Sequence, residues 1–293
     1  MSDRGGITTT TPNLNKIIDI TNVFRSKNPA LAKLIPQFVY SYLKRLIHED
    51  SINQILNKNK DKMGLEFVDA TIKEFGLNIQ ITGNENLPTT GRYIIASNHP
   101  LGGPDGLALI STVGKKWENI KFPVNDILLF LPNLNPLFIP INKHGSNSSN
   151  LQLIEETFAS DCMIIYFPAG LVSRKHKGII KDLPWKKTII SKSRKHKRDI
   201  IPVFIKGNNS NFFYNLANIR KKLKIKANIE MLFLVDEFYK HANKIIEIRF
   251  GKAIPYETFD KRFTDTEWVK LVQDHVYKLN DDNNESFAFS ISK

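Results

Sequence analysis

The residues best placed to do chemistry are His99 and Asp105, separated by Pro100-Leu101-Gly102-Gly103-Pro104. A neutral imidazole, whose ordinary pKa is about 6.5, can take a proton from a hydroxyl at neutral pH. A carboxylate on its second ring nitrogen fixes the tautomer and stabilises the imidazolium as it forms. The pair is therefore a candidate general base for activating an alcohol. The competing explanation is structural: strand-end histidines are commonly packing residues, and an aspartate after a helix-starting proline suits the helix dipole. Gly102 and Gly103 favour a site, because they let a substrate approach the backbone closely.

The elements that must hold this pair follow from the flanking residues. Tyr93-Ile94-Ile95-Ala96 has the length and β-branched content of a buried strand. Prolines and glycines then force a turn, and Gly106-Leu107-Ala108-Leu109-Ile110 resumes a helical apolar pattern opened by Pro104. His99 thus falls at a strand's carboxyl end and faces a helix start. In open α/β sheets that crevice is where ligands sit.

Further strands are predicted over 77–81, 121–124, 137–141, 163–167, 200–205 and 245–250, with 127–130 an apolar helix or lid. Helices are predicted over 148–160 and Asp265 to Lys278, the latter with Trp268, Leu271, Val272 and Val276 inward. Upstream, Ile35, Phe38, Val39, Tyr42, Leu43, Leu46 and Ile47 form one apolar helical stripe, with Lys44 and Arg45 on the other face. Such a helix packs on a core or rests at a membrane interface. The expected organisation is a disordered tail over 1–12, a helical, membrane-proximal N-terminal region over 13–76, an α/β domain over 77–280 and a polar tail over 281–293.

The 293 residues suffice for a sizeable core, and 41% hydrophobic with 24% charged residues is ordinary globular composition. A net charge of +13 and a sequence pI near 9.6 call for a negative partner. Cys162, the single cysteine, sits in an apolar run, so no internal disulfide forms and a buried, inert thiol in a reducing compartment is expected. The polar N-terminus carries no secretory signal, and no apolar run approaches the length needed to span a bilayer. A peripheral place on the inner face of the cytoplasmic membrane is the expected location. Phosphate-loop, zinc-protease and serine-elbow motifs are absent, and the scattered histidines lack metal-ligand spacing, so no metal is implied.

Asn98-His99 followed by Asp105-Gly106 resembles the first signature of the lysophospholipid and glycerol-phosphate acyltransferase superfamily. That family usually has four residues between His and Asp. The five here resemble the branch of hemolysin-like acyltransferases and the O-acyltransferases of bacterial ornithine and glycine lipids. Three later stretches match in order. Phe138-Ile139-Pro140-Ile141-Asn142-Lys143 ends in a basic residue at the substrate-binding place, where Lys143 stands for the usual Arg and loses its bidentate fork. Phe167-Pro168-Ala169-Gly170-Leu171-Val172-Ser173-Arg174 resembles F-P-E-G-T-R-S, with Ala169 for the glutamate and Arg174 displaced. Ile201-Pro202-Val203 matches the short strand that lines the acyl site.

The resemblance implies an α/β fold with a mixed, largely parallel central sheet flanked by helices. It implies His99 and Asp105 as catalytic residues. Asn98, Gly102, Gly103, Lys143, Phe167, Pro168, Ala169, Gly170, Ser173, Arg174 and Pro202 become the candidate substrate-binding residues. The reaction implied is transfer of an acyl group from a thioester, acyl carrier protein or CoA, to a lyso-lipid hydroxyl, with no other cofactor. Amides near Gly102-Gly103 or Gly170 would hold the oxyanion, and Lys186 or Lys187 would assist Arg174 and Lys143 with headgroup or donor phosphate. The altered later signatures favour a lyso-aminolipid acceptor; lysophosphatidic acid is the alternative, and a non-catalytic lipid-binding protein is the alternative of another class.

From Arg174 to Arg198, eleven cationic side chains accompany one acid, Asp182, and Arg220 to Lys226 adds five more cations. Such runs are solvated faces, anionic-membrane contacts or docking sites for acidic acyl carrier protein. Nucleic acid is not expected, since no recognition motif accompanies them.

Overall fold

The apolar runs fold as strands, and seven of them join one sheet. A computed structural model describes residues 16–27, 29–124, 128–140, 148–281 and 287. The tails over 1–12 and beyond 281, together with Lys143, fall wholly or almost wholly outside these residues. Two compact units, Met1–Lys60 and Asp61–Lys293, divide the chain. The boundary thus precedes the helix at 64–74, which belongs with the sheet.

The first unit contains α1 (Ile20–Lys27), α2 (Pro29–Leu34), α3 (Gln37–Leu46) and α4 (Glu49–Lys58). The segment entering α1 is pinned to α4: Asn53 Oδ1 accepts from the amides of Ile17 (2.9 Å) and Ile18 (2.8 Å), and Glu49 Oε2 accepts from Ile20 (2.9 Å). On α3, Tyr40 and Leu43 are buried and the Tyr40 hydroxyl donates to Ala32 O at 3.0 Å. Phe38 and Tyr42 are 74% and 54% exposed. The inward face is therefore rotated from the stripe expected, because Tyr40 can bury its ring only with a carbonyl to satisfy its hydroxyl.

The second unit holds β1 (Asn78–Thr82), β2 (Tyr93–Ser97), β3 (Ile120–Val124), β4 (Phe138–Pro140), β5 (Met163–Tyr166), β6 (Arg174–His176), β7 (Ile179–Lys181), β8 (Asp199–Lys206) and β9 (Ile245–Phe250). Its helices are α5 (Gly64–Glu74), α6 (Gly103–Gly114), α7 (Ser148–Ala159), α8 (Thr188–His196), α9 (Asn211–Lys222), α10 (Leu234–Lys240) and α11 (Asp265–Lys278). The main sheet has the order β1-β9-β8-β2-β5-β3-β4, while β6 and β7 form a separate hairpin. Every pairing in the main sheet is parallel except β8 with β9. This is the largely parallel α/β architecture expected. The apolar segment at 127–130 contributes a single 3-10 turn, Leu128–Phe130, in place of the helix or lid expected; Ile127 lies outside the described residues.

Side chains alternate across a strand. Ile94 and Ala96 of β2 join a core with Ile164, Ile189, Trp185, Trp268, Val272 and Val276 under α8 and α11. Ile95 turns to the opposite face and is equally buried. Each such large apolar side chain contributes about 1.5–3 kcal/mol on burial. With β2 held between β5 and β8, the carboxyl ends of three parallel neighbours deliver their loops to one place.

Candidate active site

The loop leaving β2 is wound around one carboxylate. Asp105, fully buried, accepts at Oδ2 from the amides of Leu101 (2.8 Å) and Gly102 (3.2 Å), and at Oδ1 from Gly106 N (2.8 Å). The same Oδ2 lies 3.0 Å from His99 Nδ1. A carboxylate has no proton to give, so Nδ1 carries the hydrogen and Nε2 keeps the lone pair. Among the described residues Nε2 has no hydrogen-bond partner, and the side chain is 17% exposed. Gly102 turns the loop between His99 and Asp105 with a φ of 99°, which suits glycine.

Burial pulls the His99 pKa down, but the charge and hydrogen bond of Asp105, with the charge of Asp182, outweigh it and hold the ring above its ordinary 6.5. Phe167, from the loop after the neighbouring strand β5, stacks on the imidazole with centroids 4.1 Å apart and planes 13° from parallel. Phe122 meets Phe167 edge-on at 5.4 Å. The ring is thereby fixed in orientation with one face covered.

A second acid grips the histidine's backbone. Asp182 Oδ1 accepts from His99 N (3.2 Å) and Ser173 Oγ (2.5 Å), and its Oδ2 accepts from Trp185 Nε1 (2.9 Å). Its own amide donates to the Tyr277 hydroxyl at 2.7 Å. Burial pushes the Asp182 carboxyl up, against the hydrogen bonds of Ser173, Trp185 and His99. Ser173 also donates its amide to His99 O at 2.8 Å, so it ties the β5 loop to the β2 loop. Ser173, expected against substrate, thus joins the two loops, and Asp182 was not among the expected site residues. The signal was there: an isolated acid within a run of cations.

Other candidates serve the scaffold. Asn98 spends both ends of its amide on Ile205, donating to its carbonyl at 2.8 Å and accepting from its N–H at 2.7 Å, which locks the β2 and β8 loops together. Pro202 is buried within β8, opposite Ala96, with its carbonyl accepting from Gly251 N. Ala169 packs in the core beside Trp185, while Pro168 accepts from Lys186 N at 3.1 Å. The Gly102 amide goes to Asp105 and that of Gly170 to Phe167 O at 3.0 Å, so neither supplies the oxyanion donor expected of it. Gly103, at the exposed start of α6, faces Phe238: a Cβ there would stand 2.5 Å from its ring.

Arg174 directs Nη2 to Glu230 at 2.9 Å and Nη1 to Val172 O at 2.5 Å, so its charge is already met. The basic run is likewise dispersed. Lys192 and Lys195 pair with Glu155, Arg194 with Asp265, and Lys181 with Asp274. Arg198, fully buried, donates to the carbonyls of Phe158 (2.7 Å), Cys162 (2.8 Å) and Ser160 beyond the end of α7. Five of the eleven cations are thus paired with acids and Arg198 is buried, so the count along the sequence overstates the exposed positive charge of this run.

An acyltransferase family model matches residues 22–285. The chain belongs to the acyltransferase family. It is similar to lyso-glycine lipid O-acyltransferases from Bacteroides thetaiotaomicron and Phocaeicola vulgatus, each 48% identical over 265 residues, covering 90% of this chain and 97% and 95% of theirs. Among solved structures it is similar to the 1-acyl-sn-glycerophosphate acyltransferase PlsC from Thermotoga maritima, with a TM-score of 0.46, 15% identity, and coverage of 82% of this chain and 95% of that one. This acyltransferase therefore carries His99 and Asp105 in contact at the carboxyl edge of its sheet. No helix among its described residues is long and apolar enough to cross a membrane.

Proposed function

We propose that the enzyme moves a fatty acyl group from an acyl thioester to the hydroxyl of a lyso-aminolipid, with a lyso-glycine lipid the favoured acceptor. The observation that carries the reaction is the 3.0 Å contact between His99 Nδ1 and Asp105, which leaves Nε2 as the base. The acceptor is supported by the names of relatives that match over nearly their whole length. His99 Nε2 takes the hydroxyl proton as the acceptor oxygen bonds to the thioester carbonyl carbon. The C–S bond then breaks, and the imidazolium returns its proton to the leaving thiolate. Asp105 holds the ring through both transfers, and general-base assistance of this kind contributes about 10²–10⁴-fold. The thioester is already activated, so no acyl-enzyme is required. The donor is acyl carrier protein or CoA, whose thioester-bearing arms are chemically alike.

The purified chain should be offered a thioester bearing a labelled acyl group and, separately, lyso-glycine lipid, lyso-ornithine lipid and lysophosphatidic acid. Mass spectrometry of the products is expected to find labelled diacyl product chiefly with lyso-glycine lipid. Preferential labelling of lysophosphatidic acid would overturn the acceptor assignment.

A further inference from the structure

We infer that α9 and the chain just beyond it form the surface by which the enzyme docks on an anionic bilayer. Along α9 and its C-terminal cap, Phe212, Leu216, Ile219 and Leu223 recur at i, i+4, i+7 and i+11, one helical stripe. Phe212, Ile219 and Leu223 are 53%, 55% and 64% exposed. The core is served by another face, through Phe213, Tyr214 and Ala217. A helix that meets the core with one apolar face and leaves a second open to water presents a surface for a partner.

Charge identifies that partner. Within 174–198, Arg174, Lys181, Lys192, Arg194 and Lys195 pair with Glu230, Asp274, Glu155 and Asp265, whereas Lys221, Lys222, Lys224 and Lys226 are exposed beside the apolar stripe. Apolar side chains flanked by lysines match a bilayer interface carrying anionic headgroups. An acidic carrier protein would satisfy the lysines and leave the stripe uncovered.

The β6–β7 hairpin adjoins this surface, since Lys175 Nζ donates to Asn211 Oδ1 at 2.9 Å and Asn218 Nδ2 donates to Lys175 O at 3.2 Å. Its turn presents Ile179, 69% exposed, beside exposed Lys177. On the inner side, Phe213 and Tyr214 pack with Val172, whose Cγ2 lies 3.5 Å from where a Cβ on Gly102 would stand. The docking layer therefore abuts the loop that carries His99 and Asp105. Its use in delivering a lipid acceptor rests on the function proposed above, whereas the docking is measured without turnover.

The full chain should be floated with vesicles of phosphatidylcholine alone and of phosphatidylcholine with phosphatidylglycerol. Wild type is expected to bind the anionic vesicles, and Ile219→Glu/Leu223→Glu to lose that binding while acylating detergent-dispersed substrate at an unchanged rate. Replacing Lys221, Lys222, Lys224 and Lys226 with Gln should weaken binding about fivefold per lysine. As a probe that spares the fold, Leu223→Cys carries an environment-sensitive dye, Cys162 being only 1% exposed, and its emission should shift to the blue on anionic vesicles. Wild-type binding that survives both sets of substitutions, a dye that stays in water on bound protein, or capture by acyl carrier protein but not by vesicles would each overturn the proposal. Vesicle binding lost in the α9 variants of a chain that transfers no acyl group to any lyso-lipid would uphold the surface and reject the acceptor assignment.

Discussion

The main-chain amide of His99 lies 3.2 Å from Asp182 Oδ1, across 83 residues of sequence, so the base is gripped at its backbone by one acid and at its ring by another. Asp182→Asn places an amide where Trp185 Nε1–H and Ser173 Oγ–H both require acceptors. Leaving a buried donor unmet costs about 1–3 kcal/mol. Stability should fall by that amount in urea titration. The acid limb of activity should also move to lower pH, because the Asp182 charge helps hold the His99 pKa up.

The raised His99 pKa fixes the sign of two pH effects. The base must be neutral, so kcat/KM should rise with pH through an apparent pKa above 6.5. Stability runs the other way. A pKa raised on folding gives a contribution fully present below the unfolded value of about 6.5 and lost as pH rises through the folded one. Asp105→Asn removes the strongest raising influence and should shift both profiles toward acid. Rate profiles together with melting curves across pH test this; an acid limb unmoved in Asp105→Asn would contradict it.

Gly102 turns the loop that joins His99 to Asp105. A Cβ at its φ of 99° is strained and would stand 3.3 Å from Leu234 Cδ2. Gly102→Ala should cost about 1–3 kcal/mol in stability. It should also lower kcat, since the same amide holds Asp105; Leu107→Ala, one turn into α6, gives the comparison for a generic destabilisation.

Arg198 tests the other end of the domain. Its guanidinium serves carbonyls at the end of α7 and along the following turn, with no exposure at all. Arg198→Met should destabilise by about 1–3 kcal/mol or more by leaving buried carbonyl acceptors unmet. Thermal melts should report this loss, while kcat per folded molecule stays near wild type.

These residues also mark how far the sequence could be followed. The strand over 245–250 and the helix Asp265–Lys278 were legible because an apolar run and the helical spacing of Trp268, Leu271, Val272 and Val276 are local signals. His99 and Asp105 were legible because six positions suffice to bring them together. Arg198 and Asp182 were not: a charge run is counted along the chain, but its partners, Glu155, Glu230, Asp265 and Asp274, arrive only with tertiary structure. Short strands β6 and β7 lacked the apolar length that marks a strand, and the α3 face was set by a hydroxyl's need for Ala32 O, which periodicity does not see.

In the proposed reaction His99 is the base in acyl transfer. The direct measurement is release of free thiol from an acyl thioester in the presence of lyso-glycine lipid, for wild type and for His99→Ala, with circular dichroism verifying the fold of each. Thiol release should fall about 10²–10⁴-fold in His99→Ala at preserved fold. Thiol release at the wild-type rate from the folded variant would contradict it.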